Sequence, residues 1–345
     1  VYDALCRADT IGTFQVESRA QAQMLPRLRP RTFEDIIVEV AIIRPGPIQG
    51  NMVHPYLRRR QNLEAVDYPH PSLEPVLKGT LGIVLFQEQV LQVAMVLAGF
   101  SGGEADQLRR AMTRKNPSKT MKQLAQRFVA GAMANGLTHE EATDVFGQLA
   151  GFASYGFCRS HAAAFALLAY ETMWLKVYYP AEFYTALLNH QPMGFYSPAV
   201  LLGDARRHNV EIRIPDINRS ADECLLEGDA IRLGLRYIKH VGPGARRQIL
   251  DARVDKPFQT LRDVCNRTRL PQKVIASLIR AGALDSLKQE QRQLLWELNT
   301  LDYRPQSFDL ENDLEVITLP ALTESEGINW RLDLLGMTPG DHPLR

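Results

Sequence analysis

The chain has 345 residues, 45% hydrophobic and 23% charged, the balance of ordinary globular protein with room for two or three cored domains. With 40 basic against 39 acidic residues the net charge is +1, so no uniform field marks the whole surface for an anionic partner. No apolar run reaches the ~20 residues of a bilayer span. The cysteines Cys6, Cys158, Cys224 and Cys265 are scattered without a CxxC pair, which excludes a disulfide framework and a clustered zinc site and fits a cytoplasmic location.

Val1, and Arg345 directly after His342-Pro343-Leu344, read as positions inside a longer chain. Ser18 is placed to N-cap a helix through Leu28, and Thr32 another through Ile43 with Glu34 and Asp35 in its first turn. Arg44-Pro45-Gly46-Pro47 cannot continue it. Helical spacing resumes over Leu85–Ala98, Gly102–Thr113, Ser118–Asn135, Thr138–Ala150, His161–Tyr178 and Ala181–Asn189, with Gly99, Gly136 and Pro180 as stops. From Val210 the texture changes. Val210–Ile214, Cys224–Glu227 and Ile231–Gly234 read as short strands about a Gly228-Asp229 turn. Short helices follow around Ala245–Ala252, Leu261–Asn266 and Gln272–Ala281. Beyond Asp285 one helix, Glu290–Leu298, leads into an acidic stretch expected as a linker. The fold class expected is mainly α with a small β element.

The near-neutral total conceals segregated charge. Arg109, Arg110, Arg114, Lys115, Lys119, Lys122 and Arg127 stand against Glu104 and Asp106 alone, whereas acids dominate after Leu287. A grip on phosphate and a solvated helix face both give this pattern. The segment Lys239-His240-Val241-Gly242-Pro243-Gly244-Ala245, followed by Arg246 and Arg247, opens a helix from a glycine-rich turn. Uncovered amides at the positive end of the helix dipole can bind a phosphate without reading a base. A weaker copy at Ile279–Leu284 centres on Gly282, and the pair reads as a tandem helix-hairpin-helix module. On the Gly102–Thr113 helix, Asp106 and Arg110 lie one turn apart and can pair, while Arg109 is expected to point elsewhere. Arginines held in this way suit a triphosphate. Ser154-Tyr155-Gly156-Phe157-Cys158-Arg159-Ser160-His161 brings aromatic rings, a glycine, an arginine and a histidine to a helix start, which is equally the composition of a capped helix entry. His139-Glu140-Glu141 lacks the second histidine of a zinc-protease motif, since position 143 is Thr143, and Pro215-Asp216-Ile217-Asn218 has one carboxylate too few to bridge two metals.

Taken together, Gly12–Ser18, Arg44–Pro47, Leu85-Phe-Gln-Glu-Gln89, Ala105–Met112, Tyr155–His161 and Trp174–Phe183 resemble, in order and spacing, the alpha subunit of bacterial DNA polymerase III of the C family. Leu188–Ser197 and the tail at Leu335–Gly336 and His342–Leu344 resemble its error-prone branch. The resemblance implies the end of a palm or connector over 1–17 and helical polymerase fingers over 18–214. A small β element with a tandem helix-hairpin-helix DNA-binding module over 215–285 would follow, then an acidic linker over 286–345. It implies nucleotide-binding roles for Arg109, Arg110, Arg159, His161, Tyr155 and Gly156, with His161 beside the sugar. The glycine turns and their basic flanks place Lys239, Gly242, Gly244, Arg246, Arg247 and Gly282 on DNA. Arg159 and Cys158 stand where replicative members more often carry Lys and Asn.

The same resemblance implies an error-prone DNA-directed DNA polymerase acting on primer-template DNA and deoxynucleoside triphosphates, with catalytic carboxylates and their Mg²⁺ in palm residues outside this chain. Sliding clamp and mutagenesis accessory proteins are expected partners, with Gln306–Leu310 a weak clamp-peptide match. A non-catalytic helix-hairpin-helix repair or scaffolding module, and an all-helical interaction protein without a DNA role, are the alternatives.

Overall fold

The computed structural model describes residues 1–43, 53–112, 119–153, 157–194, 196–301 and 319–338. They divide into two compact units, Val1–Val177 and Tyr178–Arg345. The expected class is observed: helices throughout, with one small three-stranded sheet.

In the first unit the helix starts follow local polar chemistry. Helices α1 (Tyr2–Cys6), α2 (Arg19–Leu28), α3 (Phe33–Ile42) and α4 (Val53–Arg60) come first. Ser18 Oγ accepts from Gln21 N–H at 3.3 Å to open α2. Thr32 and Asp35 form a reciprocal capping box on α3, with Thr32 N–H donating to Asp35 Oδ2 at 2.9 Å. After short helical turns that include α5 (Glu74–Leu77), a second group follows: α6 (Gln87–Ala98), α7 (Gly102–Met112), α8 (Lys119–Ala134) and α9 (His139–Ala153). Thr138 and Glu141 box the start of α9, so the His-Glu-Glu run serves a helix start. The last helix is α10 (Arg159–Tyr178).

Two cores hold this unit. One joins α1–α4 to Ala162, Ala166, Ala169 and Met173 of α10, and the other fills the α6–α9 group around Leu97, Leu108 and Phe128. Helices α6 and α8 approach so closely that a Cβ on Gly131 would lie 2.1 Å from the Ala98 carbonyl oxygen. That closeness lets Asn135 Nδ2 reach Leu97 O at 2.8 Å, and Arg127 reach Ala98 O at 3.0 Å. The orphan carbonyls at the end of α6 are thereby capped by side chains of α8 and of Asn135 just beyond it.

The second unit begins with α11 (Pro180–Asn189) and α12 (Pro198–Arg207). Pro180, expected as a stop, is the first residue of α11, where its missing N–H costs nothing. Tyr184 Oη donates to Asp204 Oδ2 at 2.6 Å and ties the two helices together. Strands β1 (Ile212–Arg213), β2 (Leu225–Glu227) and β3 (Ala230–Arg232) form a sheet of order β1-β3-β2. Ile231 pairs with Ile212 in parallel and with Leu226 antiparallel. Arg232 and Arg213 both hold Glu227, at 2.8 and 2.7 Å, and these hydrogen bonds lower its carboxyl to about 2, the Arg232 bonds contributing most. Asp216 accepts from the Asn218 and Arg219 amides, so the Pro215–Asn218 segment is a carboxylate-closed turn leading from the sheet.

The hairpin region comprises α13 (Pro243–Ala252), α14 (Leu261–Thr268), α15 (Gln272–Arg280) and α16 (Gln291–Thr300). Within the stretch expected as an acidic linker a further helix forms, α17 (Glu324–Leu335), and it packs on α15. Its start is a Thr323–Glu326 capping box and its end a left-handed Gly336. Two of the acids in that stretch, Glu324 and Glu326, are favourable first-turn charges of this helix. Among the described residues no helix is long and apolar enough to cross a membrane.

Candidate nucleic-acid interface

Two segments far apart in sequence build the first candidate site. Gln89 accepts from the Leu85 and Phe86 amides at 2.8 and 3.0 Å and donates to Thr80 Oγ1 at 2.8 Å, which fixes the entry of α6. Against that entry lies Phe157, whose carbonyl accepts from Gln87 N–H at 2.9 Å. The neighbouring Glu88 turns its carboxylate to the start of α10. It accepts the Arg159 amide at 3.1 and 3.0 Å and the Cys158 thiol at 3.1 Å. Glu88 thus does for α10 what an N-cap side chain normally does from the same strand of chain.

The side chains of α10's first turn diverge from there. One Arg159 guanidinium nitrogen donates to both Glu34 carboxylate oxygens at 2.8 Å. His161 is exposed, and its ring lies against Phe157 at 5.0 Å and Phe165 at 4.3 Å between centroids. Phe165 in turn contacts Phe14 at 5.3 Å, so the Gly12–Ser18 motif reaches the histidine through an aromatic row. A cleft of about 650 Å³ opens here, lined by Glu34, Thr80, Phe86, Glu88, Gln92, Arg159 and Ser160 among others. That volume is in the range of small-molecule sites.

Arg109 and Arg110 sit on α7 and are not among the residues lining this cleft. The expectation that Arg109 points away from Asp106 is corrected. Arg109 donates from Nε and a terminal nitrogen to Asp106 Oδ1 at 3.0 and 2.8 Å, and Arg110 Nε lies 2.7 Å from Oδ2. Three and four residues along a helix are both same-face neighbours, and one carboxylate has an oxygen for each. The Arg109 hydrogen bond, then the charge of both arginines, holds the Asp106 carboxyl below its ordinary range. Arg109 is 32% exposed and Arg110 72%, so Arg110 is the more available to a ligand. Tyr155 and Gly156, with Arg114 and Lys115, lie outside the described residues.

The second candidate site is the start of α13. Gly242 is its N-cap, Pro243 follows, and the Gly244 and Ala245 amides find no backbone acceptor among the described residues. A Cβ added at Gly242 or Gly244 would meet open space, and neither has a positive φ. The left-handed residue of the turn is His240, at φ 69°. The glycines leave this helix end bare, where another backbone can come close. Lys239 and Arg247 are exposed beside it and form no ion pair with a described residue. Arg246 differs. It is 16% exposed, pairs with Asp222 and donates to Val241 O at 2.8 Å, so it braces the hairpin from inside.

The second turn does not present a matching surface. Gly282 is buried, and the Gly282 and Ala283 amides are taken by Ile279 O and Leu278 O, each at 2.9 Å. Its φ is +81°, and an added Cβ would lie 2.7 Å from Ile214 Cδ1. The glycine therefore serves a left-handed turn under the sheet, and the expected phosphate contact at this position is corrected to a packing role.

Sequence reasoning missed Glu34 and Glu88. Both stood within motifs already singled out, but nothing in spacing says that a first-turn acid will cap a helix 71 positions away.

Comparison with known proteins matches residues 1–136 to the bacterial DNA polymerase III alpha subunit finger domain and residues 209–294 to a helix-hairpin-helix motif. The chain is 46% identical to Error-prone DNA polymerase 2 of Rhizobium meliloti (strain 1021), over 100% of this chain and 33% of that protein. It is 49% identical to Error-prone DNA polymerase of Pseudomonas fluorescens (strain Pf0-1), over 99% of this chain and 34% of that protein. With Error-prone DNA polymerase 3 of Agrobacterium fabrum (strain C58 / ATCC 33970) the identity is 50%, over 88% of this chain and 29% of the relative. The chain spans about a third of the length of the curated relatives it matches. It is a homologue of the finger and helix-hairpin-helix regions of error-prone DNA polymerases.

Proposed function

We propose that this chain, a homologue of error-prone DNA polymerases, holds the incoming deoxynucleoside triphosphate and grips primer-template DNA within such an enzyme. The observation that carries the reading is the junction of Glu88 with the start of α10. It sets Arg159 at the mouth of a cleft of small-molecule size, while His161, two residues on and so about 200° round the helix, lies outside that lining. Arg159 supplies fixed positive charge to the phosphates at the cleft, and Arg110, exposed on α7 outside the cleft lining, is a second phosphate contact on the strength of the resemblance. Charge that is already in place stabilises the crowded negative charge of phosphoryl transfer. The His161 ring, backed by Phe157 and Phe165, packs against a deoxyribose face and leaves no room for a 2′-hydroxyl.

The Gly244 and Ala245 amides, which have no backbone acceptor among the described residues, take backbone phosphates of duplex DNA together with Lys239 and Arg247, without reading sequence. In-line transfer to the primer end needs paired metal-binding carboxylates. We assign these, with the Mg²⁺ they hold, to palm residues outside this chain, so the chain alone positions substrates and does no chemistry. A cytoplasmic enzyme working with a sliding clamp is in keeping with this reading, although the Gln306–Leu310 peptide lies outside the described residues. The experiment is single-nucleotide incorporation by the polymerase that contains this chain. Arg110→Ala should depress kcat/KM for deoxy and ribo substrates alike. An unchanged kcat/KM would remove Arg110 from the site.

A further inference from the structure

We propose that Glu34 is an affinity-setting gate on Arg159, holding the guanidinium that an arriving triphosphate must take. The inference rests on the reading of Arg159 as a triphosphate contact. Both Glu34 oxygens accept from one Arg159 nitrogen, each at 2.8 Å, although the residues are 125 positions apart. A single nitrogen shared in this way leaves most of the guanidinium's donors without a partner among the described residues, unlike the two-nitrogen fork that locks an arginine onto a carboxylate. Arg159 is 54% exposed and Glu34 40%, and ion pairs so open to water are weak. The pair holds Arg159 in place without a ligand and yields to a polyanion.

The surroundings point the same way. Glu34 lies in the first turn of α3, Glu88 in the first turn of α6, and Arg159 opens α10. All three residues line one cleft, so three positive helix ends meet there. At roughly half a charge per helix end, these ends and the guanidinium slightly outweigh the two carboxylates. Glu88 is committed to the Arg159 amide and the Cys158 thiol, and moving it would uncap α10. Glu34 has Arg159 as its hydrogen-bond partner and can turn to solvent without disturbing a helix start. Of the two acids, Glu34 is therefore the displaceable one. It sets a threshold that a ligand must exceed in negative charge.

Steady-state incorporation of one deoxynucleotide by the polymerase that contains this chain tests the gate. Glu34→Gln should lower KM for the nucleotide by about three- to five-fold, the size expected for release of one exposed ion pair. Glu34→Ala should act in the same direction, and Glu34→Asp, which keeps the charge, should stay near the parent. Most of the gain should vanish in an Arg159→Ala background, a dependence that a merely structural role for Glu34 would not give. If Arg159→Ala raises KM but Glu34→Gln leaves it unchanged or raises it, the gate is overturned while the nucleotide site stands. If Arg159→Ala leaves KM unchanged, the reading of Arg159 itself falls, and the gate with it.

Discussion

The Glu88 carboxylate accepts the backbone N–H of Arg159 at 3.0 Å, joining the start of α6 to the start of α10 across 71 positions. Because the same carboxylate takes the Cys158 thiol, it orients the whole entry to the helix that carries Arg159 and His161. Glu88→Ala should destabilise the protein by about 1 kcal/mol, the usual cost of removing an N-cap acceptor. Glu88→Gln, which keeps an acceptor oxygen, should recover part of that. Urea unfolding midpoints of the two variants measure it, and equal midpoints for Ala and parent would show that the interaction contributes nothing.

Lys239 and Arg247 should behave differently from Arg246 in DNA binding. Alanine at either exposed residue should weaken binding to unrelated duplexes equally and lower the salt slope by about 0.9 for each phosphate no longer neutralised. Arg246→Ala removes the brace between Asp222 and the Val241 carbonyl, so it should lower thermal stability as well. Salt titrations of DNA affinity, paired with melting curves, separate the two. A salt slope unaltered by Arg247→Ala would remove that residue from the interface.

Glu39 gives a pH signature. Its side chain is 0% exposed, neither carboxylate oxygen has a hydrogen-bond partner among the described residues, and burial pushes its pKa up to about 8. The folded state therefore binds a proton that the unfolded chain releases near an ordinary carboxylate pKa. Stability from this group is fully present below that value and is lost as pH rises towards about 8. Glu39→Met should flatten this part of the stability profile and raise stability most at pH above neutral. Denaturant midpoints at several pH values test this, and an identical pH dependence in the variant would contradict it.

His161→Ala should relax discrimination against ribonucleotides while leaving deoxynucleotide turnover largely intact. Phe165→Ala should do so in part, because it removes one of the rings backing the histidine. The readout is the ribo-to-deoxy ratio of kcat/KM on matched substrates. A ratio unchanged in His161→Ala would reassign the ring to packing within its aromatic row.

Much of the helix layout was legible because it is written locally. Ser18, Thr32 and Gly99 end or start helices through their own side chains or left-handed backbone. Thr323, Glu326 and Gly336 carry the same signals, but in sequence the acid count around them outweighs the caps and suggests a linker where α17 forms. What was not legible is tertiary. Glu88 and Arg159 belong to two motifs that were each visible, and only packing shows that they touch. Gly282 looks like Gly242 in sequence, but one turn lies buried under Ile214 and the other faces open space. Arg246 and Arg247 are adjacent, and only Asp222 decides which of them is occupied.

On the function proposed, residues at the start of α10 hold the incoming nucleotide. The most direct measurement is photo-crosslinking of a base-modified deoxynucleoside triphosphate in a stalled complex of the polymerase with primer-template, followed by peptide mapping. Label concentrated in the peptides carrying Phe157–Phe165, and abolished by competition with the correct unmodified nucleotide, is the result expected. Competable label confined to the hairpin helices, or to regions outside this chain with none at Arg159 or His161, would contradict the account.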